Sequence, residues 1–289
     1  MTDLEFDYLR DYLKQRSGLS LGPEKRYLIE SRLGPVCRRF GLGTLGDLVG
    51  ALRLSRQGAM ERAVVEAMTT NETFFFRDRV PFDLFRDVLL PRTLAARAGT
   101  RRLRIWCAAA SSGQEPYSLA MLLAEAAPRL AGWSIEIVAT DLSTEVLEKA
   151  KLGLYSHFEV QRGLPVQMLV KHFTQAGDQW RLGASITGMV DFRPLNLLQP
   201  FEHLGTFDIV YCRNVLIYFD APTKADVLRR IAKVLAPDGA VLLGTAETVI
   251  GLTDALVPDG AHRGLYRHGT VAAPVPARPA APLRLAAGF

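Results

Sequence analysis

Past residue 102 the chain alternates short apolar runs with segments of helical length, a rhythm that few architectures accommodate. LRIWCAAA, IEIVATD, MVDFRPLNLL, FDIVYCRN and GAVLLGTAE each read as a strand. Between the first two lies PYSLAMLLAEAA, with Pro116 in a favourable first-turn position, and after the second comes TEVLEKAK, which Ser143 can cap. A further helix runs from about Thr223 to Leu235 and is stopped by Pro237-Asp238-Gly239. This is the grammar of a doubly wound, Rossmann-like α/β sheet. Residues 155–190 interrupt it. There, Gly and Gln punctuation and the pieces DQWRLG and ASITG predict a small inserted subdomain of antiparallel strands.

Upstream the periodicity is helical. From Asp3 to about Val80 apolar residues recur as Phe6, Leu9 and Leu13, then Leu28 and Leu33, then Leu45, Leu48 and Leu52, and finally Val64, Val65 and Met68. Breaks at Ser17-Gly18, Gly41-Gly43 and Ser55-Gly58, and Pro23 in a first-turn position, divide the stretch into short helices. One more helix is expected around Pro81 to Leu94. The predicted organisation is therefore an all-α domain over residues 1–80 and an α/β domain over residues 81–268 that carries the insert. The Ala/Pro-rich residues 269–289, which have no periodicity, are expected to be a disordered tail.

At 289 residues, 48% of them hydrophobic, the chain can bury one large and one small core. No apolar run nears the roughly 18 residues that cross a bilayer, and MTDLEFDYLRDYLKQ is acidic and amphipathic, so no membrane insertion and a cytoplasmic location are expected. Cys37, Cys107 and Cys212 are far apart and lack CxxC spacing, which argues against a metal site or a disulfide framework. The net charge of +5 is unevenly spread. Residues 10–56 hold ten Lys or Arg against four Asp or Glu, residues 263–289 add four Arg and no acid, and the rest is net acidic. A basic patch confined to one segment fits an acidic partner surface, protein or phosphate backbone; it also fits a solvated helix face.

An open α/β sheet binds its ligand at the carboxyl ends of its strands. Three features fall there. Ala109-Ala110-Ser111-Ser112-Gly113 follows the first strand, and its small residues let backbone amides approach a ligand, with Glu115 adding a carboxylate suited to a cationic group such as a methionyl ammonium. Asp141 ends the second strand and could accept hydrogen bonds from both ribose hydroxyls, or serve as a helix cap. Arg213-Asn214 ends the strand FDIVYCRN and leads into Val215-Leu216-Ile217-Tyr218-Phe219, more an active-site floor than a core. Upstream, Asn71-Glu72-Thr73-Phe74-Phe75-Phe76-Arg77 matches no helix or strand period and reads as the lining of a site, or as a buried clasp between domains.

In that order, MTTNETFFFRD, RIWCAAASSGQEPYSLAMLL, ATDLSTEVLEKAKLGLY, DFRPLNLL and FDIVYCRNVLIYFD resemble the CheR family of chemotaxis receptor methyltransferases, over roughly residues 5–268. The resemblance implies a class I methyltransferase domain with a small β subdomain inserted in it, preceded by an all-α N-terminal domain. It implies S-adenosylmethionine as donor, S-adenosylhomocysteine as product, and glutamate side chains of chemoreceptor cytoplasmic domains as acceptors. Carried over by position, Asn71, Thr73, Arg77, Glu115, Asp141, Asn196, Leu197, Arg213 and Asn214 match cofactor-binding residues, and Arg77 and Tyr218 match residues beside the methyl group and the incoming glutamate. A receptor would dock on the basic segment carrying Lys25, Arg26, Arg32, Arg38 and Arg39, where Gly34-Pro35 is expected to interrupt the helix.

The chemistry asks for little beyond this. A glutamate with a pKa of about 4.3 is already ionised at neutral pH, so its methylation needs no general base, consistent with the lack of a Ser-His-Asp or Cys-His signature. His157 and His172 are accordingly read as structural or surface residues. A class I methyltransferase of another substrate would be the rival, but amine methylation commonly uses an NPPY-like turn where RNVLIYF stands, and nucleic acid is not expected as a partner. A non-catalytic cofactor-binding module is disfavoured by the intact set Asn71, Arg77, Asp141, Arg213 and Tyr218.

Overall fold

Four amphipathic helices open the chain in the computed structural model, which describes residues 1–54 and 58–269. They are α1 (Asp3–Ser17), α2 (Arg26–Arg39), α3 (Leu45–Leu54) and α4 (Ala59–Met68). Thr2 and Glu5 form a capping box on α1, and Gly18 closes it at φ 79°. Phe6, Leu9, Leu13, Ile29, Leu33, Leu48, Leu52, Val64 and Met68 share a core of their own. Ser55 to Gln57, within the expected break, and the Ala/Pro-rich stretch from residue 270 onward lie outside the described residues.

The expectation that Gly34-Pro35 would break the basic helix is not met, because α2 runs continuously through Pro35. A proline inside a helix costs about 3 kcal/mol. Against it stand Ile29, Leu33, Val36 and Cys37, all buried by the same helix, and burial of such side chains is worth roughly 1.5–3 kcal/mol each for the larger ones. Packing therefore outweighs the lost hydrogen bond. The basic array is not one free face either. Arg26 is held by Asp3 at 2.5 Å and by the Met1 carbonyl, and Arg32 donates to the Met68 and Thr69 carbonyls at 3.0 Å. Lys25, Arg38 and Arg39 remain exposed.

A bent helical segment follows: α5 (Val80–Leu84), a π-turn over Phe85–Leu89, and α6 (Leu90–Ala96). The sheet region then runs β1 (Arg102–Ala108), α7 (Gln114–Glu125), β2 (Ser134–Asp141) and α8 (Thr144–Leu152). The inserted segment comes next as β3 (Leu154–Ser156), α9 (His157–Gln161), α10 (Val166–His172), β4 (Phe173–Ala176), β5 (Gln179–Leu182) and α11 (Ala184–Thr187). The chain returns through β6 (Val190–Pro194), β7 (Phe207–Cys212), α12 (Ala221–Lys233) and β8 (Leu235–Leu243). It finishes with β9 (Leu256–Pro258) and β10 (Leu265–His268).

The seven-stranded sheet has the order β6-β2-β1-β7-β8-β10-β9, and the insert forms a separate antiparallel sheet in the order β3-β5-β4. β6, β2, β1, β7 and β8 are parallel, and β10 and β9 add an antiparallel edge. Side chains alternate between two layers. Leu103, Ile105 and Cys107 of β1 enter one hydrophobic layer, and Trp106 and Ala108 enter the other. The helix α12 stops at Lys233, short of the predicted Pro237-Asp238-Gly239, which instead forms a bulge inside β8, where pairing jumps from Phe207↔Leu235 to Ile209↔Ala240. Gly239 suits that bulge because a Cβ there would lie 2.9 Å from the Ala236 and Asp208 carbonyl oxygens. Strand order reverses at β1, so the crevice between the carboxyl ends of β1, β2 and β7 is the place for a ligand.

Candidate active site

One cleft sits at that crevice in two connected parts. An apolar part with about 700 Å³ of empty space is walled by Leu19, Met68, Leu142, Leu195, Leu197, Val215, Tyr218 and Phe219, with Asn196 beside them. A polar part of about 430 Å³ is lined by Glu72, Thr73, Arg77, Ser111, Glu115 and Arg213. Thr70, Asn71, Ala109, Asp141 and Asn214 line both. All ten residues singled out from the sequence, spread from Asn71 to Tyr218, thus converge on one cleft.

Asp141 stands between the two parts at the end of β2. Its Oδ2 accepts the Ser111 N–H at 2.8 Å and its Oδ1 accepts the Ser143 N–H at 2.9 Å, while Ser143 caps α8 with its own hydroxyl. Each carboxylate oxygen has a second lone pair, so both can still take a hydroxyl donor. Burial pushes the Asp141 carboxyl above its ordinary value, opposed by the amides of Ser143 and Ser111. The turn after β1 was expected to aim amides at a ligand, yet the Ser111 amide serves Asp141 and the Ala110 amide serves the Thr140 carbonyl. Ala109, Ser111 and Gly113 adopt φ of 62°, 50° and 91° to make the turn. Ser111 Oγ donates to the Asn71 carbonyl at 2.8 Å, which ties the linker between α4 and α5 to the sheet.

Glu115 lines the cleft as expected of a carboxylate suited to a cationic group, but a cation of the protein already holds it. Its Oε2 accepts from Arg213 Nη1 at 2.8 Å, and Arg213 Nη2 binds Asp78 at 2.6 Å. Burial pushes the Glu115 carboxyl up, and the adjacent Arg213 guanidinium opposes that rise. The NETFFFR run divides its duties. Phe75 and Phe76 are buried in the core, Asn71, Thr73 and Arg77 line the cleft, and the half-buried Phe74 ring has the guanidinium groups of Arg77 and Arg162 over it at 5.7 and 4.4 Å. Arg77 Nη1 is held by the Glu72 carbonyl at 2.7 Å and Arg162 by the Glu72 carboxylate at 2.6 Å. The run therefore lines the cleft with its polar residues, while Phe75 and Phe76 are buried in the core of the α/β domain rather than in a clasp between domains.

The helical region closes the apolar part. Ser17 and Leu19 line it, the Ser20 N–H donates to the Tyr218 carbonyl at 2.8 Å, and Asn196 Nδ2 donates to the Arg16 carbonyl at 2.7 Å. Ser17 and Leu19 are not marked by any sequence pattern, because they reach the site only through tertiary packing; Leu142 and Asp78 stand beside Asp141 and Arg77 in the chain, but only the structure shows what they touch.

An apolar recess, a carboxylate midway and a charged far end fit an adenosine joined to an amino acid. Fold and cleft together are those of an S-adenosylmethionine-dependent methyltransferase. Residues 71–262 match the family model described as CheR methyltransferase, SAM binding domain, and residues 4–69 match CheR methyltransferase, all-alpha domain. The chain belongs to the CheR methyltransferase family. It is 43% identical over 254 residues to chemotaxis protein methyltransferase 1 of Pseudomonas aeruginosa, covering 86% of this chain and 92% of that one. It is 41% identical over 256 residues to chemotaxis protein methyltransferase Cher2 of Pseudomonas putida, with coverage of 87% and 93%. The chemotaxis protein methyltransferase of Escherichia coli is 36% identical, with coverage of 86% and 85%.

Proposed function

We propose that this protein methylates glutamate side chains of chemoreceptor cytoplasmic domains, giving glutamate methyl esters that adjust receptor signalling. The observation that carries the reading is the placement of Arg77 and Tyr218 on one cleft with Asp141, Asn71 and Asn214, in a chain of the CheR family. S-adenosylmethionine supplies a methyl group made electrophilic by a sulfonium centre. Asp141 would bind the ribose hydroxyls, Asn196 and Leu197 would border the adenine, and Asn71, Thr73, Glu115, Arg213 and Asn214 would hold the methionyl end. Because Glu115 is shared with Arg213, its carboxylate would meet an ammonium as one member of a balanced charge cluster.

An ionised glutamate needs positioning rather than deprotonation. Tyr218 would orient one carboxylate oxygen through its hydroxyl, and Arg77 would steer the other, holding the nucleophile about 3–3.5 Å from the methyl carbon. Too tight an ion pair with Arg77 would blunt the nucleophile, so Arg77, one of whose guanidinium nitrogens is already bonded to the Glu72 carbonyl, would position more than activate. A receptor's acidic surface would meet exposed Lys25, Arg38 and Arg39 on the helical region, in the cytoplasm.

The test is transfer of a tritiated methyl group to membranes from the protein's own cell. Label that volatilises as methanol in mild base is expected, because esters hydrolyse there and N-methyl groups do not. Label found only in base-stable products, or in RNA, would overturn the assignment.

A further inference from the structure

The floor of the cleft depends on a carboxylate that the sequence did not single out. Glu247 follows β8 in a loop, is 9% exposed, and has no cation bonded to it among the described residues. Its charge is met by backbone. Oε1 accepts the N–H groups of Val215, Leu216 and Ile217 at 2.9, 2.7 and 3.3 Å, and Oε2 accepts those of Asn214 and Gly244 at 2.8 and 2.6 Å. The need is local. After β7 the chain turns at Asn214, φ 59°, into a 3₁₀ turn over Leu216–Tyr218, whose leading N–H groups have no partner within the turn. An anion seated in such a nest satisfies them together.

We infer that Glu247 is a positioning residue for methyl transfer: it fixes the backbone of residues 214–218 so that Asn214, Val215 and Tyr218 keep their places on the cleft wall. It touches neither substrate. The inference rests on the proposed function only for the role of Tyr218; Asn214 and Val215 line the cofactor cleft whatever the acceptor is. Three features make the device specific. Glutamine cannot replace Glu247, since either orientation of its amide turns an NH₂ toward two or three backbone N–H donors. Aspartate has the charge but not the reach. Gly244 leaves room for the nest, because a Cβ there would lie 2.7 Å from Glu247 Oε2 and 2.8 Å from Asn214 Nδ2.

The test compares the full-length protein with Glu247→Gln and, should that variant not fold, with Gly244→Ala, which crowds the nest without altering charge. Hydrogen exchange is followed peptide by peptide, S-adenosylhomocysteine affinity by calorimetry, and kcat and KM on receptor membranes, all per folded molecule. Protection should fall in the peptide spanning residues 213–220 while β1, β2 and α1 to α4 keep theirs. S-adenosylhomocysteine should bind about tenfold more weakly, and kcat should drop about a hundredfold, more than KM changes, as expected for a small misplacement of a positioning wall. Protection lost evenly across the sheet, or unchanged affinity and kcat in the folded fraction, would overturn the inference. Should the wild-type protein prove to esterify no receptor glutamate, the exchange and calorimetry arms still decide the role of Glu247.

Discussion

Replacing Arg213 with methionine should expose how much the buried charge cluster contributes to the fold. The Arg213 side chain is 1% exposed and bridges Glu115 at 2.8 Å and Asp78 at 2.6 Å. Methionine keeps most of the volume but leaves Glu115, itself only 11% exposed in its side chain, without its bonded cation, with only the more distant Arg77 nearby. Breaking a buried pair from one side costs about 3–5 kcal/mol; Asp78, 29% exposed, can be rehydrated and should add little. The cost must depend on pH. Burial already raises the Glu115 carboxyl in the folded state, against the pull of Arg213, and the variant removes that pull. A carboxyl raised on folding contributes stability that is complete below its unfolded pKa of about 4.3 and is lost as pH rises through the folded value. The penalty of Arg213→Met should therefore be larger at pH 8 than at pH 5. Urea unfolding of both proteins across that range, followed by tryptophan fluorescence and without cofactor, measures it. Adding Glu115→Gln to Arg213→Met should return about 2 kcal/mol at pH 8, the size of coupling expected for contacting residues. A penalty independent of pH, or no gain from the second substitution, would refute the account.

Asp141→Ala should weaken S-adenosylhomocysteine binding at least tenfold, since hydrogen bonds to a charged acceptor are worth about 1.5–3 kcal/mol; unchanged calorimetric affinity would sink the ribose role. Tyr218→Phe should lower turnover and leave that affinity nearly intact, and equal loss of both would count against a role in orienting the acceptor. Gly163→Ala should lower the melting temperature, because Gly163 holds φ 84° and a Cβ there would collide with the Phe75 carbonyl oxygen; an unchanged melting curve would contradict that packing of the insert on the FFF run. Cys37, Cys107 and Cys212 are buried, and burial raises all three thiols, so a thiol reagent should label them only as fast as the protein opens. Rapid native labelling would be incompatible with the structure.

Periodicity made the order of elements legible. The parallel strands β1, β2, β6 and β7 begin within a residue of where their patterns put them, and Ser143 caps α8 as its position suggests, since each depends on neighbours in sequence; β8 starts four residues earlier than its apolar run. The elements misjudged were those settled by distant partners. The local chemistry of Pro35 is that of a helix break, and the core of the helical bundle overrides it. Pro237-Asp238-Gly239 has the pattern of a helix stop, but opposite β7 it becomes a bulge. The strands β9 and β10 are short and weakly alternating, and pairing rather than pattern defines them.

The candidate site divides along the same line. Asp141, Arg213 and Asn214 could be placed from sequence because strand ends of a doubly wound sheet are ligand sites by topology, and Asn71, Thr73 and Arg77 because their run fits no period. What each side chain is bonded to was not legible. Tertiary structure alone decided that Glu115 is shared with Arg213, that the Ser111 amide faces Asp141, and that Glu247 gathers five backbone donors from two loops. Local sequence sets which conformations a segment prefers, whereas the partner of a buried charge is chosen by whichever group the packed chain brings within hydrogen-bonding reach, here from residues 30 to 98 positions away in most of these cases.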